Sequence, residues 1–246
     1  MPVEEIKNRQ GIIIAAPASG AGKTTVTLGL INAFARKRSV QPFKSGPDYI
    51  DSKFQSVAAD RPSYNLDTWA MSSSDILNMI GMVSPSDICI TEGSMGLFDG
   101  VISKGAGGNG STADLASITN WPVILVVDCA KQAQSVAALI TGFNSFRHDI
   151  TIGGVILNNI SSKRHEALVV SEVSKTKVPI LGVIPRSNEL TIPERHLGLV
   201  QAEDLSDMKQ LIYKLGTLIE ENCDLEAIAC TARNSFPPIS TLQKIT

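Results

Sequence analysis

One short apolar run that passes directly into a glycine-lysine-threonine loop constrains this chain more than any other feature. The run is Gly11-Ile12-Ile13-Ile14-Ala15, and the loop is Ser19-Gly20-Ala21-Gly22-Lys23-Thr24-Thr25. Apolar residues without alternation read as a strand buried on both faces, as in a parallel sheet. After the loop, Val26, Leu30, Ile31 and Phe34 recur near helical spacing, so the order is strand, glycine loop, helix. In that setting backbone N–H groups and the positive end of a helix converge on a phosphate. Lys23 would neutralise phosphate oxygens, and Thr24 would offer its hydroxyl to a divalent cation.

The rest of the chain repeats the alternation of apolar runs with helix-period segments, which argues for a parallel sheet with crossover helices. Further strands are expected at Val40-Phe43, Asp87-Thr91, Val123-Asp128, Gly154-Asn158 and Ile180-Ile184, and helices at 73–83, 111–119, 131–146 and 162–177. Residues 204–221 carry Leu205, Met208, Leu211, Ile212, Leu215 and Ile219 on one stripe. The expected fold is α/β: a doubly wound, mostly parallel sheet of the P-loop NTPase kind. The basic run Arg36-Lys37-Arg38 reads as a solvated helix end favoured by the dipole. Gly100 to Gly110 is glycine-rich and sits mid-domain, where such loops often act as lids.

The 246 residues are 43% hydrophobic and 19% charged, enough apolar mass for a core. With 22 Lys+Arg against 24 Asp+Glu, there is no overall basic field to attract nucleic acid or an anionic membrane. No apolar stretch approaches the roughly 20 residues that span a bilayer, and the first ten residues lack the pattern of a signal peptide. The expectation is a cytoplasmic protein. The four cysteines, Cys89, Cys129, Cys223 and Cys230, form no zinc spacing or disulfide framework. None lies in a nucleophile elbow. His148 and His165 read as structural.

The loop departs from the full phosphate-binding pattern at Pro17, where a glycine is usual, while the Gly-x-Gly-Lys-Thr-Thr half is intact. Partition and septum-site ATPases usually carry a second lysine at the position of Ala18, so the loop instead resembles the dethiobiotin synthetase type. Two further polar segments follow apolar strands: Lys44-Ser45-Gly46-Pro47-Asp48-Tyr49-Ile50-Asp51, and Glu92-Gly93-Ser94-Met95-Gly96-Leu97-Phe98-Asp99-Gly100. In a doubly wound sheet the C-terminal strand ends face one crevice, which places both segments beside the phosphate loop.

Six stretches in order, VQPFKSGPDYID, NLDTW (65–69), EGSMGLFDG, GSTADLA (110–116), GVILN (154–158) and IPERHLGLV (192–200), resemble the N-terminal domain of cobyrinate a,c-diamide synthase. The resemblance covers about residues 11 to 200. It implies an ATP-dependent amidoligase of cobalamin biosynthesis that amidates the a and c carboxylates of cobyrinate or hydrogenobyrinate through an acyl phosphate. Carried over, Ser19, Gly20, Ala21, Gly22, Lys23, Thr24 and Thr25 bind phosphate. Thr24, Asp48 and Glu92 hold Mg²⁺, and Lys44 bridges the γ-phosphate and the substrate carboxylate. Asp51 and Asp99 shape the acceptor site or aid ammonia deprotonation, and Asn158 hydrogen-bonds adenine. Tyr49, Lys131, Arg186, Arg195 and His196 are substrate candidates, since a polycarboxylate calls for fixed cations.

Close relatives that act on nickel sirohydrochlorin, a dethiobiotin synthetase-like ligase and a dimerising regulatory ATPase remain the alternatives. The family pattern continues into a glutaminase domain that releases ammonia. Residues 1–228 read as the synthetase domain, and 229–246 as a linker or cut tail towards an absent glutaminase domain. The expected partners are a corrinoid or related tetrapyrrole acid, a glutaminase domain or subunit, and a second copy of the chain. Nucleic acid and membrane are not expected.

Overall fold

The computed structural model describes residues 10–187 and 202–233. Its centre is a parallel sheet whose strands are β1 (Gly11–Ala15), β2 (Val40–Ser45), β3 (Tyr64–Leu66), β4 (Ile88–Glu92), β5 (Val123–Asp128), β6 (Ile152–Ile160) and β7 (Ile180–Pro185). They are ordered β3-β2-β4-β1-β5-β6-β7. Chain order therefore reverses around β1, and a doubly wound sheet opens its ligand crevice at such a switch. The doubly wound expectation is met.

Helices cover both faces, which is why the strands are apolar without alternation. They are α1 (Lys23–Ala35), α2 (Tyr49–Ala59), α3 (Ser73–Met82), α4 (Thr112–Thr119), α5 (Val136–Phe146), α6 (Lys163–Val173), α7 (Ala202–Asn222) and α8 (Leu225–Arg233). Ile12, Ile14, Ile90 and Val126 pack with Leu30 of α1, Ile212 and Leu215 of α7, and Ile228 of α8. Ile13, Phe43, Leu125 and Val127 face the other way, against Ile76 of α3, Leu115 of α4, Ile140 of α5 and Val169 of α6. Alternate residues of one strand thus feed opposite cores.

Several boundaries differ from the sequence reading. A helix occupies 49–59, where only a polar segment was expected, and Asp48 caps it by accepting from the N–H groups of Ile50 and Asp51 at 2.9 and 3.1 Å. Strand β3 was missed because three residues carry too little pattern to register. Helix α5 begins at Val136 rather than 131, after a turn. Helix α8 runs across position 228 and buries Ile228, Ala229 and Ala232. The short length and mixed polarity of α8 masked it in the sequence.

The basic run needs a larger correction. Arg36 is a tie between α1 and α7. It pairs with Glu220, donates to Asn32 Oδ1 at 3.1 Å and to the Tyr213 carbonyl at 2.7 Å, and lies 4.1 Å from the Tyr213 ring centroid. Arg38 pairs with Glu226 of α8 at 2.8 Å. At Gly29 the two helices approach so closely that a β-carbon would meet the Leu215 carbonyl oxygen at 2.8 Å. The stripe on α7 is buried at Met208, Ile212, Leu215 and Ile219; the side chain of Leu205 lies outside the described residues.

The glycine-rich stretch 100–110 lies against the segment after β3. Ala106 N donates to the Trp69 carbonyl at 2.8 Å and Gly107 N to that of Thr68 at 2.9 Å. Asp114 accepts from Asn109 N at 2.7 Å and pairs with Arg147 at 2.8 Å, which fastens the far end.

Leu215→Ala should cost about 2–5 kcal/mol, the range for a buried leucine whose cavity cannot collapse. Urea unfolding followed by circular dichroism measures it; a loss under about 1 kcal/mol would mean that α7 is not integral to the core.

Candidate functional site

The phosphate loop leaves the C-terminal end of β1 and enters α1 at Lys23. Gly20 and Gly22 hold φ values of 79° and 87°, which glycine adopts freely and other residues rarely do. A β-carbon at Gly22 would also fall 2.2 Å from Asn158 Nδ2. The loop is locked to its neighbours: Leu97 N donates to the Ala16 carbonyl at 2.8 Å, and Asn158 Nδ2 to the Ala21 carbonyl at 3.0 Å.

The decisive geometry lies at the ends of β2 and β4. These strands are adjacent, and their register sets Lys44 beside Glu92. Lys44 Nζ lies 3.2 Å from Glu92 Oε1, 2.5 Å from Asp51 Oδ2 and 3.8 Å from Asp48 Oδ2. Thr24 Oγ1 donates to Glu92 Oε1 at 2.6 Å. Glu92 is fully buried and Lys44 is 3% exposed, so neither charge can rely on water. Burial pulls the Lys44 ammonium down, but Glu92, Asp51 and Asp48 outweigh it and its pKa ends raised. Lys23 goes the other way: burial lowers its pKa, Lys44 adds to that, and the carboxylates only partly offset it. Asp51 is raised, first by burial and then by Glu92, against the pull of Lys44.

The sequence reading had no Gln55. On α2 it stands four residues after Asp51, on the same face. Its Nε2 donates to Glu92 Oε2 at 2.8 Å, and it is fully buried. Its signal was the Asp51-x-x-x-Gln55 spacing, legible only once 49–59 is known to be helical. Asn159 was missed too. It sits at φ 61° and donates to Asp128 at 2.8 Å, an asparagine in the left-handed conformation that this residue tolerates. With Gly20, Gly22, Asn158, Ile184 and Pro185 it lines a pocket of about 190 Å³ beside the loop.

Not every candidate joins the cluster. Asp99 is exposed and accepts from Gly96 N at 2.9 Å within its own turn, against the phosphate-loop arm. Tyr49 is 79% exposed at the start of α2. Lys131 is exposed after β5, and Arg186 after β7 lines an open depression with Ser161, Lys163 and Asp224. Five strand spacings separate β7 from β2, roughly 24 Å, so Arg186 is remote from Lys44. Arg195 and His196 lie outside the described residues. His165 is structural, as expected: its ring bridges Ser161 and the Gln132 carbonyl. Cys89 and Cys129 are buried, and burial, then Asp128, pushes the Cys129 thiol up to about 12. Burial raises Cys223 to about 12 as well. Neither suits a nucleophile, which needs a lowered pKa. Among the described residues, no helix is long and apolar enough to cross a membrane, and no group of three His, Cys, Asp or Glu is arranged to hold a metal.

Residues 12–200 match the family described as the CobQ/CobB/MinD/ParA nucleotide binding domain. The chain belongs to that family. Relatives named hydrogenobyrinate a,c-diamide synthase are 45% identical in Rhodobacter capsulatus, over 91% of this chain and 52% of theirs, and 46% identical in Brucella anthropi, over 89% and 50%. The chain spans about half the length of these relatives. Among solved structures, the MinC:MinD cell division complex of Aquifex aeolicus matches with TM-score 0.53 and 16% identity, over 96% of this chain and 98% of that one. A ParA family ATPase from Chlorobium tepidum matches with TM-score 0.51 and 10% identity, over 91% and 97%. At such identities the likeness is one of fold.

Lys44→Met should destabilise the protein by about 3–5 kcal/mol, because it strands the buried Glu92 carboxylate without its cation. Adding Asp51→Asn should recover part of that loss in a double-mutant cycle. Strictly additive effects in urea unfolding would show that the two charges do not interact.

Proposed function

We propose that this chain is the ATP-using part of an amidoligase that converts the a and c side-chain carboxylates of a hydrogenobyrinate-type corrinoid acid into amides. The observation that carries the reading is the convergence of Thr24, Lys44, Asp51 and Glu92 beside a phosphate loop. The names of the relatives supply the substrate class. The fold alone would serve a nucleotide switch equally well.

A carboxylate is a poor electrophile with a poor leaving group, so it has to be activated before ammonia can displace anything from it. One carboxylate oxygen attacks the γ-phosphorus of ATP, the bond to the bridging oxygen breaks, and ADP leaves. Ammonia then attacks the carbonyl carbon of the acyl phosphate, loses a proton, and expels phosphate as the amide forms. Catalysis of this kind rests on positioning and charge neutralisation. Lys23 and the N–H groups of residues 19–25 hold the phosphates. Lys44 steers the substrate carboxylate towards the γ-phosphate. Asp51, whose proton affinity is raised by its surroundings, is suited to take the ammonia proton. Asp99 borders the acceptor side, and Asn158 reads the base in the pocket beside the loop.

Mg²⁺ fits the donor set. Thr24 and Glu92 offer hard oxygens 2.6 Å apart, and Mg²⁺ typically uses one or two carboxylates plus substrate phosphates. Three carboxylates already outnumber Lys23 and Lys44 here, so adding a triphosphate calls for a divalent cation. When bound, the ion neutralises charge on the transferring phosphoryl group. Asp48 caps α2 with Oδ1, and its Oδ2, 3.8 Å from Lys44 Nζ, would act on the ion through water. Ammonia would come from a glutaminase segment or subunit, a reading supported by the greater length of the relatives.

The chain should amidate hydrogenobyrinate in two steps with ATP, Mg²⁺ and ammonium, more readily than nickel sirohydrochlorin, as followed by mass spectrometry. Lys23→Ala should lower this turnover about 10²–10³-fold with the fold intact; wild-type turnover would remove the phosphate-loop assignment. Glu92→Gln should shift the Mg²⁺ titration upward, since the amide keeps the shape and loses the charge.

A further inference from the structure

We infer that Gln55 is a positioning residue, which presents one chosen oxygen of Glu92 to the phosphate loop and its metal ion. The inference rests on the nucleotide reading above and extends it to a side chain that reaches no reacting group.

The two oxygens of Glu92 are handled from different sides. Oε2 accepts from Gln55 Nε2 at 2.8 Å, while Oε1 accepts from Thr24 Oγ1 at 2.6 Å and lies 3.2 Å from Lys44 Nζ. The terminal torsion of a glutamate is soft and roughly two-fold, so the carboxylate plane would turn if only one oxygen were held. Gln55 removes that freedom. Its own orientation is fixed in turn, because an ionised carboxylate only accepts, so the amide NH₂ group must face Glu92. The amide oxygen then faces Ser63 Oγ, which donates to it at 2.8 Å. Ser63 is itself tethered, its N–H donating to Ser56 Oγ at 2.9 Å. The chain Ser63–Gln55–Glu92 therefore carries the position of the α2–β3 turn into the site.

The residue type matters as much as the distance. An acid at 55 would set two carboxylates face to face, and a lysine would add a third cation to a pocket already holding Lys23 and Lys44. A neutral donor fixes Glu92 while leaving its charge for the ion. With both polar ends engaged and no exposure, Gln55 cannot itself touch nucleotide or substrate. Partners of metal-ligating side chains typically contribute 10–100-fold to metal affinity.

The test uses the full chain and binding rather than turnover. Affinity for a fluorescent ATP analogue is measured in EDTA and across a Mg²⁺ titration, with Mn²⁺ binding in the presence of ADP followed directly by electron paramagnetic resonance. Gln55→Met keeps the bulk and loses the donor. It should leave affinity in EDTA within about twofold and raise the half-saturating Mg²⁺ and Mn²⁺ by about 10–100-fold. Ser63→Ala, which leaves Gln55 in place, should move the metal titrations the same way by less. It carries the test if Gln55→Met does not fold, as judged by circular dichroism. Unchanged metal titrations in the folded variants would overturn the proposal. So would equal losses with and without metal, which would mark Gln55 as packing alone. A wild-type chain that binds no nucleotide in either condition would instead bring down the nucleotide reading, and this proposal with it.

Discussion

Glu92 carries no exposure to water, and an ionised carboxylate in that position costs several kcal/mol unless charge and hydrogen bonds replace its hydration. The surrounding elements supply the replacement. Lys44 stands beside it because β2 and β4 are paired in that register. Thr24 reaches it because α1 starts where β1 ends, next to β4. Gln55 and Asp51 reach the same cluster because Asp48 caps α2 at the first residues after β2. Each arrangement also stabilises the fold, so the site and its scaffold cannot be varied independently.

The same fold occurs in a MinC:MinD cell division complex and a ParA family ATPase, so the fold does not by itself decide the function. What separates the amidoligase reading lies in side chains rather than topology. Ala18 stands where partition and septum-site ATPases usually place a second lysine, and the Lys44–Asp51–Glu92 cluster adds carboxylates and a cation beside the phosphate loop. The clustered charges sit on the β2–β4 side of β1, whereas the pocket beside the loop and Arg186 lie towards β7. On the function proposed above, that polarity would let a nucleotide and a carboxylate acceptor approach the loop from separate sides.

The features that could be read directly from the chain were those encoded by neighbours in sequence. The run 11–15 before Gly20 to Thr25 declared a buried strand feeding a phosphate loop, and the unalternating runs placed most of the central strands. The resemblance to diamide synthases named Lys44, Asp48, Asp51 and Glu92, and the structure brings all four together. Elements with little local pattern were not visible. Residues 49–59 follow the turn-like Gly46-Pro47-Asp48, which hid the helix and with it Gln55. The last helix was obscured by its brevity, and Arg36 passed for a surface charge because nothing local tells that Tyr213 and Glu220 lie across from it.

By itself, the sequence determined the alternation of strand and helix, the phosphate loop and the chemical types gathered after each strand, since these depend on backbone preference and side-chain periodicity over a few residues. Only the tertiary structure decided which of those side chains meet. Thr24 and Glu92 are 68 residues apart, and Gln55 and Glu92 are 37 apart. Their contact follows from strand order and from the need to compensate a buried charge, a requirement that arises only once the chain has closed around it.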